Sequence, residues 1–162
     1  MIAIQQFDET DFPRLISWID SEEMLLQFAG GIFQHPLTYE QLHDYLKNED
    51  RMVFKVLNKK TNGVIGHAEI LKMDRTTAKI CRILIDQNQR GKGFGQALMK
   101  VLIEFAINKL NATSIELNVY DWNTAAIQCY EKVGFKINPV KSTTVKFKEN
   151  TEWRAVNMIY TH

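Results

Sequence analysis

Arg90-Gly91-Lys92-Gly93-Phe94-Gly95 follows the apolar run Ile83-Leu84-Ile85 and opens a long amphipathic stretch. A strand, a glycine turn and a helix in that order build an anion site. Glycine lets backbone N–H groups converge with no Cβ in the way. The first N–H groups of the helix lack partners, and its dipole is positive at that end. A phosphate or pyrophosphate fits there, and Arg90 and Lys92 add side-chain charge. A second set of residues lies further along. Asn123 and Tyr130 are separated by two helical turns. At about 100° per residue, seven steps return to within about 20° of the start, so both side chains share one face and can line one groove. The Tyr130 phenol is a weak acid with an ordinary pKa of about 10, suited to giving up a proton. Plainer readings stand beside these. Asn123 is also a good helix N-cap, and a helical tyrosine also packs well into a core.

The elements that must carry these residues can be read from patterning. Residues 1–7 alternate and form a first strand. Asp8 to Asp11, followed by Phe12-Pro13, starts a helix. Ser21-Glu22-Glu23 starts a second short helix that ends at Gly30-Gly31. Thr38-x-x-Gln41 reads as a capping box for a third, reaching to about residue 48. Strands follow at 52–57, 64–71 and 78–85, the first two joined by a turn containing Asn62-Gly63. A helix from about residue 93 to 110 carries Phe94, Ala97, Leu98, Val101, Leu102 and Phe105 on one stripe. A fifth strand spans 114–120, and a short helix spans 123–133, stopped by Gly134. Strands at 135–137 and 153–160 close the chain, with a polar loop between them. The expected fold class is α/β: a mixed, mostly antiparallel sheet of six to seven strands flanked by helices, in one domain over residues 1–162.

The glycine turn is not a Walker A loop, because no Gly-x-x-x-x-Gly-Lys-Ser/Thr run exists and Gln96 follows Gly95. Gly91-x-Gly93-x-Gly95 also lacks the two-residue gap of a dinucleotide fingerprint. Gln89-Arg90-x-x-Gly93-x-Gly95 after a strand instead resembles the acetyl-CoA loop of the GCN5-related N-acetyltransferases, the GNAT family. A second segment strengthens the resemblance. Asn123-x-x-Ala126-x-x-x-Tyr130-x-x-x-Gly134-Phe135 is similar to the family's helix signature and lies one helix and one strand after the loop. The likeness covers roughly residues 78–138. Residues 1–60 carry no specific motif.

The resemblance implies an acyl-CoA N-acyltransferase fold with the fourth and fifth strands splayed and acetyl-CoA as cosubstrate. His35, His43, His67 and His162 are scattered with no metal constellation, so no metal is expected. The backbone from Arg90 through Gln96, including Phe94, would hold the pyrophosphate. The pantetheine arm would lie along Ile83, Leu84 and Ile85, and the N–H of Ile83 or Leu84 would polarise the thioester carbonyl. Asn118, Asn123 and Ala126 would complete the walls. Tyr130 would protonate the CoA thiolate after direct attack by an amine. The base is open. Some relatives carry a strand-four Glu where this chain has Lys79, so the alternatives are Glu69 or a water chain. An exposed strand carboxylate is the plainer reading of Glu69. Gln87 stands where many members carry Pro and only turns the chain. Tyr120 could lie near the acceptor. Trp18, Glu22, Glu23, Phe28, Phe33 and Trp153 are acceptor-site candidates, and the acidic pair would favour a cationic amine such as a polyamine or aminoglycoside. A protein N-terminus or a small amine is also open. From another class, a catalytically silent acyl-CoA-binding module or sensor would need the same loop. Cys129 has no placed His partner and reads as a small buried hydrophobe.

Composition narrows the rest. Apolar content of 45% and charged content of 24% are those of an ordinary globular chain. A net charge of +1 gives no basis for bulk binding of nucleic acid or membrane. No apolar run reaches a membrane span, and residues 1–6 do not look like a signal peptide. The two cysteines, Cys81 and Cys129, lack zinc spacing. A cytoplasmic protein, monomer or homodimer, is expected.

Overall fold

The computed structural model describes all 162 residues. Seven strands make one sheet in the order β1-β2-β3-β4-β5-β7-β6. They are β1 (Ile2–Gln6), β2 (Arg51–Asn58), β3 (Val64–Lys72), β4 (Thr77–Ile85), β5 (Ser114–Tyr120), β6 (Lys136–Lys146) and β7 (Glu152–Thr161). The helices are α1 (Phe12–Trp18), α2 (Glu22–Ala29), α3 (Tyr39–Tyr45), α4 (Phe94–Leu110) and α5 (Thr124–Lys132). On one face α4 buries Leu98, Met99, Leu102 and Ala106 with Val56, Ala68, Ile70 and Ile80 of the sheet. On the other, Phe12, Leu15, Leu25, Phe28 and Leu42 of α1–α3 join Val53 and Leu84. Both faces of the central strands are therefore covered. That is why β3 is buried from Ile65 through Ile70 with no polar-out alternation.

Two departures from regular pairing position the site. β4 and β5 form the only parallel pair, and they pair at just three positions: Thr77↔Ser114, Ala78↔Ile115 and Lys79↔Glu116. β4 continues to Ile85 and β5 to Tyr120, so the two strands splay. β4 also carries a bulge opposite β3. The register moves from Glu69↔Cys81 to His67↔Leu84, three steps on one strand against two on the other. Arg82 sits in the extra step with φ of 48°, a left-handed conformation uncommon for a non-glycine residue. The bulge reverses the alternation, turning Leu84 toward the α1–α3 core and Ile83 and Ile85 toward α4.

The expected elements all form, with two corrections. The third helix ends at Tyr45 rather than near residue 48. Its capping box is half made: Thr38 Oγ1 accepts from Gln41 N–H at 3.3 Å, but the Gln41 side chain turns to the carbonyls of Gln34 and Pro36. The expected polar loop after residue 137 is largely strand. β6 runs on to Lys146, pairing with β7 through a register shift between Asn138 and Ser142. Its side chains are mostly exposed, so hydrophobic alternation could not announce it.

Candidate active site

A groove of about 570 Å³ occupies the wedge between the splayed strands. Its volume falls in the range of small-molecule sites. One end rests on the turn before α4. Gly91 and Gly93 there have φ of 74° and 80°, and an added Cβ at either would meet nothing within 4 Å. Backbone conformation, not space, demands glycine at both positions. Gly93 is the N-cap of α4 and has no side chain to bond the helix N–H groups, so those donors stay available at the groove. Arg90 lines this end and donates from Nε to the Ile85 carbonyl at 3.1 Å. The middle is walled by Ile83, Leu84 and Ile85 on β4 and by Asn118 on β5. The far end meets Met24 and Phe28 of α2, Tyr120, and Val145 of β6.

Tyr130 and Asn123 both line the groove from α5. Asn123 Oδ1 caps the helix by accepting from Ala126 N–H at 3.3 Å, so the plain reading of this residue holds alongside its place on the wall. The Tyr130 ring packs edge-on to Phe135, with centroids 6.3 Å apart. Burial, reinforced by the neighbouring Cys129, pushes the Tyr130 phenol well above its ordinary range. The group therefore stays protonated at physiological pH and carries a proton into the groove, as a weaker acid than a free tyrosine. Cys129 faces the same groove; burial raises its thiol too, so it is not a poised thiolate.

Glu69 does not face the groove as a free carboxylate. It is fully buried, and the expectation of an exposed strand carboxylate is not met. Arg82 reaches both of its oxygens at 2.8 Å, Arg51 Nε donates at 3.1 Å, and the Tyr45 hydroxyl donates as well. The Arg51 guanidinium also lies 4.7 Å from the Tyr45 ring centroid. Beside them, His67 places Nδ1 3.0 Å from the Arg82 carbonyl. A carbonyl only accepts, so Nδ1 carries the proton, and Nε2 is left buried without a partner. Burial among Phe7 and Phe28 drops the His67 pKa to about 4, so the ring is neutral. Together Glu69 and His67 grip Arg82 by its side chain and its carbonyl, and so hold the bulge that shapes the groove.

The acetyltransferase (GNAT) family profile matches residues 13–135. The chain belongs to the GNAT family. It is an N-acetyltransferase on that ground, and its mixed sheet with a parallel β4–β5 pair is the GNAT acyl-CoA N-acyltransferase fold. It is similar to an N-acetyltransferase 9-like protein from Nematostella vectensis, at 26% identity over 92% of this chain and 83% of that one. It also resembles an aminoglycoside N(6')-acetyltransferase type 1 from Klebsiella pneumoniae, at 24% identity over 83% and 74% of the two chains. In three dimensions it matches a spermidine N-acetyltransferase from Vibrio cholerae, solved in complex with CoA and spermine. The TM-score is 0.81, covering 99% of this chain and 95% of that one at 18% identity, a likeness of fold.

Within this GNAT groove the other expected residues divide. Phe94, Gly95 and Ala126 lie on its wall, whereas Lys92 and Gln96 do not. Lys92 Nζ turns back to the Asn88 carbonyl and Gln89 Oε1, at 3.0 and 3.1 Å, and so ties the turn together. Of the acceptor candidates, Phe28 reaches the wall and Phe33 lies in the core. Trp153 is buried among Tyr120, Trp122 and Phe147 beside the far end. Trp18 lines a smaller cavity of about 210 Å³ with Asp20 and Asp86. Glu22 and Glu23 are exposed and off the wall. Sequence reasoning passed over Tyr45, Arg51, His67 and Arg82. One signal was available: His67 and Glu69 alternate within the otherwise apolar third strand, and polar groups on a strand buried on both faces need partners.

Proposed function

We propose that this GNAT protein moves the acetyl group of acetyl-CoA to a primary amine by direct attack in a ternary complex, with Tyr130 as the general acid. The reading is carried by one observation: the glycine turn, the unpaired stretch of β4 and the Tyr130 phenol line a single groove. A CoA-bound neighbour of the same fold supports CoA as the donor.

The glycine turn, with Gly93 at its end, cradles the pyrophosphate. Past Lys79, β4 has no partner on its β5 side, so its backbone is available to amides of the pantetheine arm and to the thioester carbonyl. The N–H of Ile83 or Leu84 polarises that carbonyl. The amine nitrogen attacks the carbonyl carbon, an oxyanion forms, and the carbon–sulfur bond breaks as Tyr130 gives its proton to sulfur. The attacking nitrogen loses its proton through water to solvent, since Glu69 is enclosed by its own partners, and the Tyr130 phenolate takes a proton back from solvent as the products leave. Acceptors of this kind span small amines, polyamines, aminoglycosides and protein N-termini. Residues 1–162 form the acetyltransferase domain, and it acts in the cytoplasm.

Release of CoA thiol from acetyl-CoA, measured against a panel of amines, tests the reading. Tyr130→Phe should lower turnover by about 100-fold or more, the usual range for a lost general acid, while acetyl-CoA still binds as in the parent. Unchanged turnover would remove Tyr130 from the mechanism. Acetyl-CoA binding with no turnover of any amine would mark a silent acyl-CoA module instead.

A further inference from the structure

The groove wall includes three basic residues, Lys79, Arg82 and Arg90, and no aspartate or glutamate. Arg90 belongs to the phosphate turn. Lys79 and Arg82 stand where β4 and β5 part, below the end walled by Met24, Phe28, Tyr120 and Val145. Lys79 forms no ion pair. Its Nζ lies 3.1 Å from the Asn118 side-chain amide, whose oxygen accepts from it once the amide is flipped to satisfy its neighbours. Glu116, its register partner on β5, is bound through both oxygens by Lys141 at 3.0 and 3.2 Å and is not on the wall. Arg82 gives no relief. Its cluster holds two guanidiniums, Arg51 and Arg82, against the one carboxylate of Glu69, so it keeps a net positive charge. Tyr45, Cys81 and His67 beside it are neutral. The carboxylates of Asp20 and Asp86 line the smaller cavity, which shares Met24, Leu84, Ile85 and Arg90 with the groove but contributes no acidic residue to the groove wall.

A polycation entering this end would meet like charge and find no carboxylate on the groove wall to replace its water. A carboxylate would find Lys79. Building on the N-acetyltransferase reading above, we infer that the preferred acceptor is a primary amine with a carboxylate close to it and an apolar side chain: an amino acid of the methionine, leucine or phenylalanine type. Lys79 would hold the carboxylate, and Met24 and Phe28 would face the side chain. The positive wall has a second effect. Like charge disfavours the ammonium form of the acceptor, raising the fraction of neutral, attacking amine without a carboxylate base. This preference differs from those in the names of the aminoglycoside and spermidine relatives.

The test is CoA-thiol release with methionine, leucine and phenylalanine, each against its α-amide, with spermidine and kanamycin as polycation probes. The acids are expected to exceed their amides in kcat/KM by about tenfold or more, and to exceed the polycations by a wider margin. Lys79→Gln should bring the acid-to-amide ratio to within about threefold, mainly through KM of the acids, and Lys79→Glu should invert it. Equal rates for acids and amides, or faster turnover of spermidine or kanamycin, would overturn the inference. A calorimetric acetyl-CoA titration run in parallel separates the two readings. If acetyl-CoA binds and no amine is turned over, the enzyme reading fails and this one falls with it. If amides or polycations are turned over best, only this one fails.

Discussion

The phosphate turn and the ionic cluster beneath the acceptor end serve the same groove and are assembled in opposite ways. The turn is made by sequence neighbours. Gly91 and Gly93 take left-handed backbone, Lys92 folds back on Asn88 and Gln89, and α4 begins at once. The cluster gathers Tyr45, Arg51, His67, Glu69 and Arg82 from α3 and three strands, and it buries charge. Local chemistry can sit near the surface with little energy stored in it. The non-local site stands on desolvated groups that are tolerable only together. Damage to the turn should therefore appear first in ligand binding, and damage to the cluster first in folding.

The sharpest way to break that contrast is Glu69→Gln, which leaves two guanidiniums facing each other without an anion. It should destabilise the protein by about 3–5 kcal/mol, read from the urea midpoint. A loss below 1 kcal/mol would mean that the cluster is not an energetic unit. Next is pH. His67 has its folded pKa lowered to about 4 from an ordinary value of 6.5. Between these values the unfolded chain binds the extra proton, so stability rises with pH across the window and falls as pH drops from 6.5 toward 4. The loss should reach about 3 kcal/mol at the acid end. His67→Phe should flatten the pH dependence of Tm in that range, and an unchanged slope would assign it to other groups.

The turn should respond differently. Gly93→Ala must place a Cβ on left-handed backbone, which costs about 1–2 kcal/mol of stability. Its acetyl-CoA affinity should fall by about tenfold, seen by calorimetry, because the cradle tilts away from its ligand. The smallest effect expected is that of Asn123→Ala, about 1 kcal/mol from the lost helix cap. A weaker acetyl-CoA Kd in that variant beyond the Gly93→Ala change would mean that the side chain holds the ligand more than it caps α5.

Legibility in the sequence follows the same divide. The turn, α4 and the Asn123–Tyr130 helix could be read because their information is local: glycine positions, an apolar stripe and a two-turn spacing. The strand order β5-β7-β6 and the exposed length of β6 could not, since Val140 and its polar neighbours show no buried face. Glu69 was visible as a carboxylate, but its role was not. A strand letter does not say that Arg51 and Arg82 close over it, or that a bulge at Arg82 turns the strand. Lys79 was legible as a departure from the family pattern; that no carboxylate replaces it on the wall emerges only in three dimensions.

The short β4–β5 seam has a mechanical meaning. The half-sheet β1–β4 and the half-sheet β5–β7 meet at three residue pairs, and beyond them two strand edges face each other across a gap inside the molecule. Exposed edges ordinarily recruit another chain, but a wedge this narrow admits only a slender occupant. An occupant whose amides pair with β4 acts as a temporary strand. It carries fluctuations and load from one half-sheet to the other across a gap that the polypeptide leaves unbridged.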